Sequence, residues 1–430
     1  GLGLAQHTAQ FDFNDIERYA FDANQAYWNN LYKLLRDTDN MIVIAKEKNN
    51  DAYEAVGLIM KSYLASQLTD LWGNVPYHRA VKGKTDQEFT PEYTTQKEIY
   101  LEEGGILANL KTANDLLKNT KSVIAGDIYY NGNLTKWRKF ANSLRIRYLM
   151  RLSNKVDEIS ELDLKAELQN ILSNEPLFES NADNALLPFL ASKPNQFDLF
   201  SVREGDFNLF RMSNTSESIL NQLNDPRMYI WFRPTEASVE AGSDAYIGMP
   251  VGLLTGTQSE LGIDLTKISK LGTNYREEPD ATDAVIMNYS ELQFLLAEAA
   301  HKGLIAGGDA AAENYYKQGI EASFDYYGVE MPDTYLTQAD VIYDTSKAMN
   351  LIMTQKWLAN FLVGYEAWLD FKRTGYPALK PLLDNANGNI IPSRYRYPAE
   401  EQAYNNESYT NALQTLSGED DINAKLWWEE

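Results

Sequence analysis

The stretch SELQFLLAEAAHKGLIAGGDAAAENYYKQGIEASFDYY (residues 290–327) contains two runs of apolar residues at helical spacing, joined by a glycine-rich turn. The first run covers residues 290–302 and the second covers residues 309–327, with Gly303, Gly307 and Gly308 between them. Glycine commonly ends helices, because it adopts backbone conformations that other residues avoid. The stretch therefore predicts a helical hairpin, whose length is roughly that of one tetratricopeptide unit.

The same helical periodicity recurs on both sides of this hairpin. Further helices are predicted over residues 25–48, 52–71, 95–117, 136–154, 162–172 and 346–372. The helix over residues 52–71 is followed by Gly73 and Pro76, which are typical helix breakers. The pattern favours an all-α fold built from repeated helical hairpins.

Residues 174–287 have a different composition, with Pro, Gly, Asn and aromatic residues interspersed. Only residues 216–223 have a clear helical pattern, and short strands are possible. Long irregular segments are uncommon in a helical protein and usually carry function. We interpret residues 174–287 as a loop-rich insertion in a scaffold of residues 25–173 and 288–375, within one domain of residues 1–430, and expect the ligand at the insertion.

Composition excludes several classes of protein. The 430 residues include 39 Lys and Arg against 61 Asp and Glu, a net charge of -22, which disfavours nucleic acid and anionic membrane surfaces as ligands. Cysteine is absent, so disulfides, thiolate nucleophiles and cysteine-ligated metals are excluded. We expect a chain that folds by packing alone.

The sequence gives little support to an enzyme. Its three histidines, His7, His78 and His301, are far apart and form no H-E-x-x-H motif, which argues against a metalloprotease or a Ser-His-Asp hydrolase. A glycoside hydrolase needs only two carboxylates, and that alternative stays open without a motif to support it. No cofactor is predicted. The stretch at residues 385–389 (NANGN) has oxygen donors for a structural calcium ion but lacks acidic spacing, so a turn is favoured there.

Seven blocks spread over the chain match the pattern of a single protein family. The blocks are SYLASQLTDLWGNVPY (62–77), KWRKFANSLRIRYLMRLS (136–153), LNDPRMYIWF (223–232), YIGMPVGL (246–253), MNYSELQFLLAEAAHKG (287–303), QKWLANFLVGYEAWLDFKRTGYP (355–377) and RYRYPAEEQAYN (394–405). Together they resemble the SusD/RagB nutrient-binding lipoproteins of Bacteroidetes. Two departures are small: Asn74 stands where the family often has Asp, and Lys372 where it usually has Arg.

The resemblance implies a fold of about four tetratricopeptide-like helical pairs with an irregular subdomain. It implies a cell-surface, lipid-anchored protein of the outer membrane that binds nutrients, most often glycans in polysaccharide utilisation, and delivers them to a TonB-dependent SusC-like transporter. Family members carry the lipid on an N-terminal cysteine. Because no cysteine is present here, we expect that anchoring residue to precede Gly1.

Aromatic residues are the most suggestive candidates for a glycan site, because sugars stack their C–H faces on aromatic rings. The chain has eight Trp and 27 Tyr. Trp137, Trp357 and Trp368 lie in predicted helices and Trp72 caps one, so these four are predicted to be structural. Charged residues at helical spacing in the family blocks are predicted to form buried ion pairs between helices; they are Arg145, Arg147, Arg151, Glu366, Asp370 and Arg373.

The insertion contributes a second set of aromatics that is predicted to contact ligand. This set is Trp231, Phe232, Tyr246 and Tyr275, with Asn195, Gln196 and Arg203 as polar companions. Phe89 and Tyr93, which follow the Val-Pro-Tyr turn, are added as candidates. Alanine at Trp231 or Tyr275 is expected to weaken ligand binding without lowering the melting temperature.

Two other functions remain open beside a glycan-binding lipoprotein. A protein-protein interaction scaffold or a peptide-binding surface lipoprotein is the main alternative, since tetratricopeptide-like surfaces usually bind polypeptide. A scaffold, however, would not need the insertion of residues 174–287. The glycoside hydrolase is the less favoured alternative.

Overall fold

The computed structural model describes residues 1–20, 23–416 and 418–430. Helices dominate the described chain and its strands are short, so the predicted all-α class is confirmed. The chain divides into two compact units: Gly1–Ala20 with Glu179–Ile391, and Phe21–Phe178 with Pro392–Glu430. We call them the first and second units. The division into one domain with an insertion at residues 174–287 stays a prediction.

The second unit consists of helices with little strand. Its helices are Gln25–Glu47, Asp51–Trp72, Gln96–Leu101, Ile106–Asn119, Leu134–Arg151, Leu164–Asn174, Ala399–Tyr404 and Asn406–Gln414, with 3-10 turns at Ser153–Lys155 and Trp427–Glu429. The strands Val75–Pro76 and Tyr93–Thr94 pair antiparallel. Polar side chains start several helices by accepting a hydrogen bond from a backbone N–H of the first turn, as Asn50 and Asn133 do.

Two helical hairpins form the core of the second unit. Gln25–Glu47 packs on Asp51–Trp72, and Ile106–Asn119 packs on Leu134–Arg151 and also on Asp51–Trp72. The middle helix is consequently buried along most of its length, and Trp72 at its end is fully buried, as predicted. Apolar burial of this kind contributes about 25 cal/mol per Å² to the stability of the unit.

A buried carboxylate ties the helices of this unit together. Asp70 accepts hydrogen bonds from the Tyr100 hydroxyl at 2.8 Å and the Trp428 indole N–H at 2.9 Å. Arg151 Nε lies 3.4 Å from the other oxygen of Asp70. Arg145 and Arg147 are also buried, in agreement with the predicted structural role of these arginines.

The first unit combines longer helices with the irregular insertion. Its helices are Glu204–Phe207, Asn214–Gln222, Met228–Trp231, Glu236–Glu240, Thr255–Glu260, Asn274–Glu277, Tyr289–His301, Gly308–Tyr326, Ala348–Ala359 and Glu366–Thr374. Its 3-10 turns are Asn181–Asp183, Leu265–Lys267, Tyr335–Thr337 and Thr345–Lys347. Two antiparallel ladders complete it, Thr8–Gln10 with Phe210–Met212 and Ala185–Pro188 with Asp283–Met287.

The hairpin predicted from residues 290–327 is confirmed. Tyr289–His301 packs along Gly308–Tyr326, and Ala348–Ala359 contacts both helices. The Asn288 side chain caps the first helix by accepting from the Glu291 N–H at 2.7 Å. Gly319 allows the close approach of the two helices, since an added Cβ would lie 2.8 Å from the Phe294 ring.

Two long helices predicted from the sequence are each divided in the structure. The prediction of one helix over residues 346–372 is wrong: Ala348–Ala359 and Glu366–Thr374 are separated by a turn in which Leu362 and Gly364 have positive φ. The prediction over residues 95–117 is wrong for a similar reason, because the chain turns at Gly104, where φ is +78°. Apolar periodicity continues through both turns and conceals them.

The turn at Leu362 and Gly364 separates two helices that carry a buried ion-pair network. Arg373 Nη2 donates to Glu298 Oε2 at 2.6 Å, and Lys356 Nζ lies 2.8 Å from an oxygen of Asp370. Burial raises the pKa of a carboxyl group, but Arg373 and Lys302 outweigh it and lower the pKa of Glu298 to about 2. The predicted structural role of Asp370 and Arg373 is therefore in agreement with the structure.

Candidate functional site

An exposed pair of tyrosines lines a cleft in the insertion. The rings of Tyr229 and Tyr246 have their centroids 5.1 Å apart at an interplanar angle of 60°. With Asn221, Met228 and Asp244 they line a cleft of about 480 Å³, which we call the tyrosine cleft. Tyr229 is 59% exposed and Tyr246 is half-buried, so both present ring surface to solvent.

The direction of Tyr229 follows from the register of one short helix. Met228–Trp231 begins directly after the Asp-Pro-Arg turn, and its first and last residues, Met228 and Trp231, are buried. Residues three apart lie on the same face of a helix, so the two between them point away from the core. Tyr229 and Ile230 are accordingly exposed.

A buried ion pair fixes the start of this helix. Arg227 Nη2 lies 2.6 Å from Asp225 Oδ2, Arg227 Nε donates to Asp225 Oδ1 at 3.0 Å, and both side chains are fully buried. Arg227 also donates to Ser323 Oγ at 2.7 Å and Gln355 Oε1 at 3.0 Å. Burial opposes ionisation, but the carboxylate outweighs it and raises the pKa of Arg227. The Asp-Pro-Arg block is therefore an anchor for the segment that carries Tyr229.

Tyr246 lies on an extended segment that is hydrogen-bonded on both sides. Ala245 O accepts from the Thr235 N–H at 2.8 Å. Ile247 N donates to Ser269 Oγ at 3.0 Å, and Ser269 N donates back to Ile247 O at 2.8 Å. These bonds hold the backbone on either side of Tyr246.

Gly248 lets this segment lie against the start of the helix Asn214–Gln222. A Cβ at this position would be 2.2 Å from Ser213 O, so no larger residue fits without moving the backbone. The Gly248 N–H donates to Glu217 Oε2 at 3.0 Å. The Tyr-x-Gly-x-Pro block thus places Tyr246 by close backbone packing.

The tyrosine cleft has one ionisable acid and, among the described residues that line it, no basic side chain. Burial, the Asp244 carboxylate and Tyr229 together raise the pKa of Tyr246. The cleft therefore offers two aromatic faces, an amide at Asn221 and a carboxylate at Asp244. Aromatic faces stack on sugar rings, while amide and carboxylate oxygens accept hydrogen bonds from hydroxyl groups.

Three predicted ligand aromatics lie in the core instead. Trp231 stacks on Phe361 with centroids 4.4 Å apart at 13°, and Phe232 and Tyr275 lie 5.9 and 6.3 Å from the same ring. Trp231, Phe232 and Tyr275 are at most 2% exposed. We call these three with Phe361 the buried ring cluster. The expected exposure of Trp231, Phe232 and Tyr275 is wrong, because Phe361 supplies a core that the local sequence does not reveal.

The remaining predicted residues do not line the tyrosine cleft. Asn195 is exposed, Gln196 Nε2 donates to Ala191 O at 3.3 Å, and Arg203 forms an exposed ion pair with Asp206 at 2.7 Å.

The two candidates of the second unit differ in exposure. Phe89 is 75% exposed, whereas Tyr93 is half-buried and donates to Glu401 Oε2 at 2.8 Å. A role of either residue in ligand binding stays a prediction.

Four lining residues escaped the sequence analysis: Asn221, Met228, Tyr229 and Asp244. The signal for Tyr229 was present, since buried Met228 and Trp231 at three-residue spacing direct the residues between them outward. Asn221 and Asp244 had no local signal, because they meet through folding and not through sequence spacing.

A second cleft in the same unit has a mixed lining of neutral polar side chains, apolar side chains and the charged Asp340 and Lys380. Its volume is about 570 Å³, and the helix Asn214–Gln222 contributes Asn214, Ser218 and Gln222 to it at four-residue spacing. Tyr316 is the aromatic residue among its described lining residues, and its ring is 1% exposed. The second cleft therefore has hydrogen-bonding groups without an exposed aromatic face.

The described residues contain no cluster of three or more His, Cys, Asp or Glu side chains that could hold a metal ion. In the Asn-rich stretch, Asn385 Oδ1 already accepts from the N–H groups of Asn387 at 3.1 Å and Asn389 at 2.9 Å. The structural calcium ion at this stretch stays a prediction. Within the part of the chain described, none of the helices has the length and apolar character needed to cross a membrane.

A family model for SusD-like proteins, described as starch-binding and associating with the outer membrane, matches residues 1–398. The chain belongs to the SusD-like family. The resemblance seen in the sequence blocks is thereby confirmed, and the family's description makes it a group of glycan-binding proteins of the outer membrane.

Solved structures agree with this SusD-like assignment. A SusD homologue from Bacteroides fragilis is 29% identical with a TM-score of 0.87, over 100% of this chain and 95% of the other. A protein from Bacteroides vulgatus is 30% identical with a TM-score of 0.87 over the same shares. A chitin-binding protein is 28% identical with a TM-score of 0.83, over 100% of this chain and 93% of the other. No protein of curated function matched the sequence.

Proposed function

We propose that this SusD-like chain is a non-catalytic glycan-binding protein that delivers oligosaccharides to a TonB-dependent, SusC-like transporter. The observation that carries the proposal is the tyrosine cleft, an exposed aromatic pair with an amide and a carboxylate beside it. The family's starch-binding description and the chitin-binding structural neighbour support the same class of ligand.

The geometry of the cleft suits a sugar chain. The two rings are inclined at 60° and both line the cleft, so adjoining sugar units could each rest on one of them. Asn221 and Asp244 stand at the edge of that surface, where sugar hydroxyls can donate to them. The fixed backbone on both sides of Tyr246 reduces the ordering that binding requires.

The cell location is part of the proposal. We infer a lipid anchor at the cell surface, as in other members of the SusD-like family. Such an anchor would hold the protein beside a transporter, and the net charge of -22 keeps the protein itself away from anionic lipid.

The test is a binding screen of the purified protein by affinity electrophoresis and calorimetry. The panel contains starch, chitin oligosaccharides, mucin glycans and peptides. The double variant Tyr229→Ala/Tyr246→Ala should abolish retention by the glycan that binds, whereas Tyr404→Ala, which removes a tyrosine that is 78% exposed elsewhere, should not. Phe89→Ala in the same screen tests the remaining exposed aromatic of the predicted set. Binding of peptides alone, or glycan binding that survives the double variant, would contradict the proposal.

A protein-binding role is the second candidate, and one observation favours it. The helices Gln25–Glu47 and Asp51–Trp72 form a cleft of about 580 Å³ in which Met41, Ile44 and Tyr53 are apolar lining residues. Ile44 is 55% exposed, and exposed apolar clefts commonly receive side chains of a protein partner. If this cleft contacts the transporter, Ile44→Asp should prevent co-purification of the two proteins while glycan binding is retained.

A further inference from the structure

The charge pattern of the tyrosine cleft bears on which glycans it accepts. Asp244 is exposed on the lining and no described lining residue carries a positive charge. The Asp244 charge acts within the cleft, since it is one of the causes that raise the pKa of Tyr246. A ligand that stacks on Tyr246 therefore lies in the field of a carboxylate.

Two basic side chains of the insertion are engaged with other partners. Lys270 forms an ion pair with Glu236, and Arg233 donates to Asn208 Oδ1 at 3.1 Å and to Leu271 O at 3.1 Å. Neither Lys270 nor Arg233 lines the tyrosine cleft. Protein sites that hold carboxylates or sulfates normally supply arginine, lysine or clustered N–H groups. The described residues that line the tyrosine cleft include no arginine or lysine.

We propose that the tyrosine cleft selects neutral and amino sugars and rejects uronic and sulfated sugars, with Asp244 as the residue that sets this preference. The inference rests on the proposed function, because it concerns the same cleft. Asp244 accepts hydrogen bonds from sugar hydroxyls or from a protonated sugar amine, whereas an anionic sugar meets like charge without a counter-ion.

Three oligosaccharides of equal length and different charge probe this preference. The probes are the hexamers of N-acetylglucosamine, which is neutral, of glucosamine, which is cationic in mildly acidic buffer, and of galacturonic acid, which is anionic. The glucosamine hexamer should bind about three- to fivefold more tightly than the neutral hexamer, the range of an exposed ion pair. The galacturonic acid hexamer should bind at least about fivefold more weakly than the neutral one.

The variant Asp244→Asn removes the charge and keeps the shape. It should lower the affinity for the glucosamine hexamer about three- to fivefold more than the affinity for the neutral hexamer. It should also raise the affinity for the galacturonic acid hexamer about fivefold relative to that for the neutral hexamer. Asp198→Asn is the matched control, because it makes the same change of net charge at an exposed position of the insertion that does not line the cleft. Asp198→Asn should leave the preference unchanged.

The outcomes distinguish this inference from the proposed function. The glycan site is supported if the neutral hexamer binds and Tyr246→Ala weakens that binding. The charge selection is nevertheless wrong if the anionic hexamer binds as tightly as the neutral one, or if Asp244→Asn and Asp198→Asn have the same effect. If none of the three hexamers nor any glycan of the panel binds, the proposed function fails first. Added salt at about 1 M should reduce the preference for the cationic probe, because exposed charges are then screened.

Discussion

Two groups of aromatic residues in the first unit include close neighbours in sequence but differ in their burial. Trp231 and Phe232 belong to the buried ring cluster around Phe361 and are 1% exposed. Tyr229, two residues before Trp231, is 59% exposed and lines the tyrosine cleft. Aromatic content alone therefore does not locate a binding surface. Helical register and distant packing partners decide which rings remain outside.

The two groups also differ in their polar atoms. The Trp231 indole nitrogen has no hydrogen-bond partner among the described residues, so this side chain acts through its ring, which packs on Phe361 and contacts the Arg227 guanidinium. Tyr229 and Tyr246 keep their polar ends near solvent, which suits a ligand rich in hydroxyl groups. Together, the following predictions assign stability to the core around Phe361 and affinity to the tyrosine cleft.

The largest expected effect is on stability. Trp231→Ala should lower the free energy of unfolding by about 3–5 kcal/mol, because it leaves a cavity between Phe361 and Tyr327. Urea unfolding followed by circular dichroism measures the change. Trp231→Phe keeps a ring and should cost less than about 1.5 kcal/mol. Tyr229→Ala should change stability by less than about 0.5 kcal/mol, and an equal loss in Tyr229→Ala and Trp231→Ala would refute the comparison.

The next effect is a pH dependence of the free energy of unfolding that arises from the buried His7. His7 packs on Trp357 with centroids 4.1 Å apart and meets the Phe361 ring edge-on at 5.6 Å. Burial lowers the pKa of His7 from 6.5 to about 3. Since the unfolded chain then binds a proton that the folded chain does not, stability falls as the pH drops below 6.5, by about 2 kcal/mol between pH 7 and pH 5.

Comparing the pH dependence of stability in the wild type and in His7→Gln isolates the contribution of His7. Unfolding curves of both proteins at pH 7 and pH 5 should show the loss of about 2 kcal/mol only where His7 is present. Other titrating groups occur in both proteins and cancel in the difference. A pH dependence that is the same in both would show that His7 is not held neutral in the core.

The third effect is on affinity. Tyr246→Ala should weaken binding of the glycan found in the screen by about tenfold, or about 1.4 kcal/mol. The reason is the loss of one stacking face, while the paired backbone of residues 245–248 stays in place. Calorimetry measures the dissociation constant of the glycan for Tyr246→Ala and, as a comparison, for the folded Trp231→Phe variant. Weaker binding in Trp231→Phe but not in Tyr246→Ala would show that the buried ring cluster, and not the tyrosine cleft, determines affinity.

The smallest effect separates stacking from hydrogen bonding. Tyr229→Phe retains the ring and removes the hydroxyl, so the dissociation constant should change by less than about twofold. Tyr229→Ala should raise it by at least about threefold. Equal losses in both variants would assign the role of Tyr229 to its hydroxyl group.

Much of the fold could be predicted from the sequence, because helical periodicity and helix breakers are local. The hairpin of residues 290–327 and the helices near residues 25–48 and 52–71 occur within a few residues of their predicted bounds. The division of residues 346–372 could not be predicted from periodicity, since the turn at Leu362 and Gly364 depends on backbone conformations that only tertiary packing stabilises.

The site was less predictable for a related reason. Tyr246 was predicted from the aromatic character of the insertion, and it does line the cleft. The burial of Trp231 depends on Phe361, which is distant in sequence, and a single sequence does not show that contact. The family blocks were more informative about the site than the composition was. They contain Asp225 and Gly248, which fix the backbone segments that carry Tyr229 and Tyr246.

The two anchors of the cleft have a consequence for how such proteins diversify. The ion pair of Asp225 with Arg227 and the close approach at Gly248 position the backbone without help from the side chains of Tyr229, Asp244 and Tyr246. Those three positions can therefore accept substitutions at little cost to folding. Under the proposed function, substitutions at these exposed positions would change which glycan binds, while the ion pair and the close backbone contact would still hold the fold.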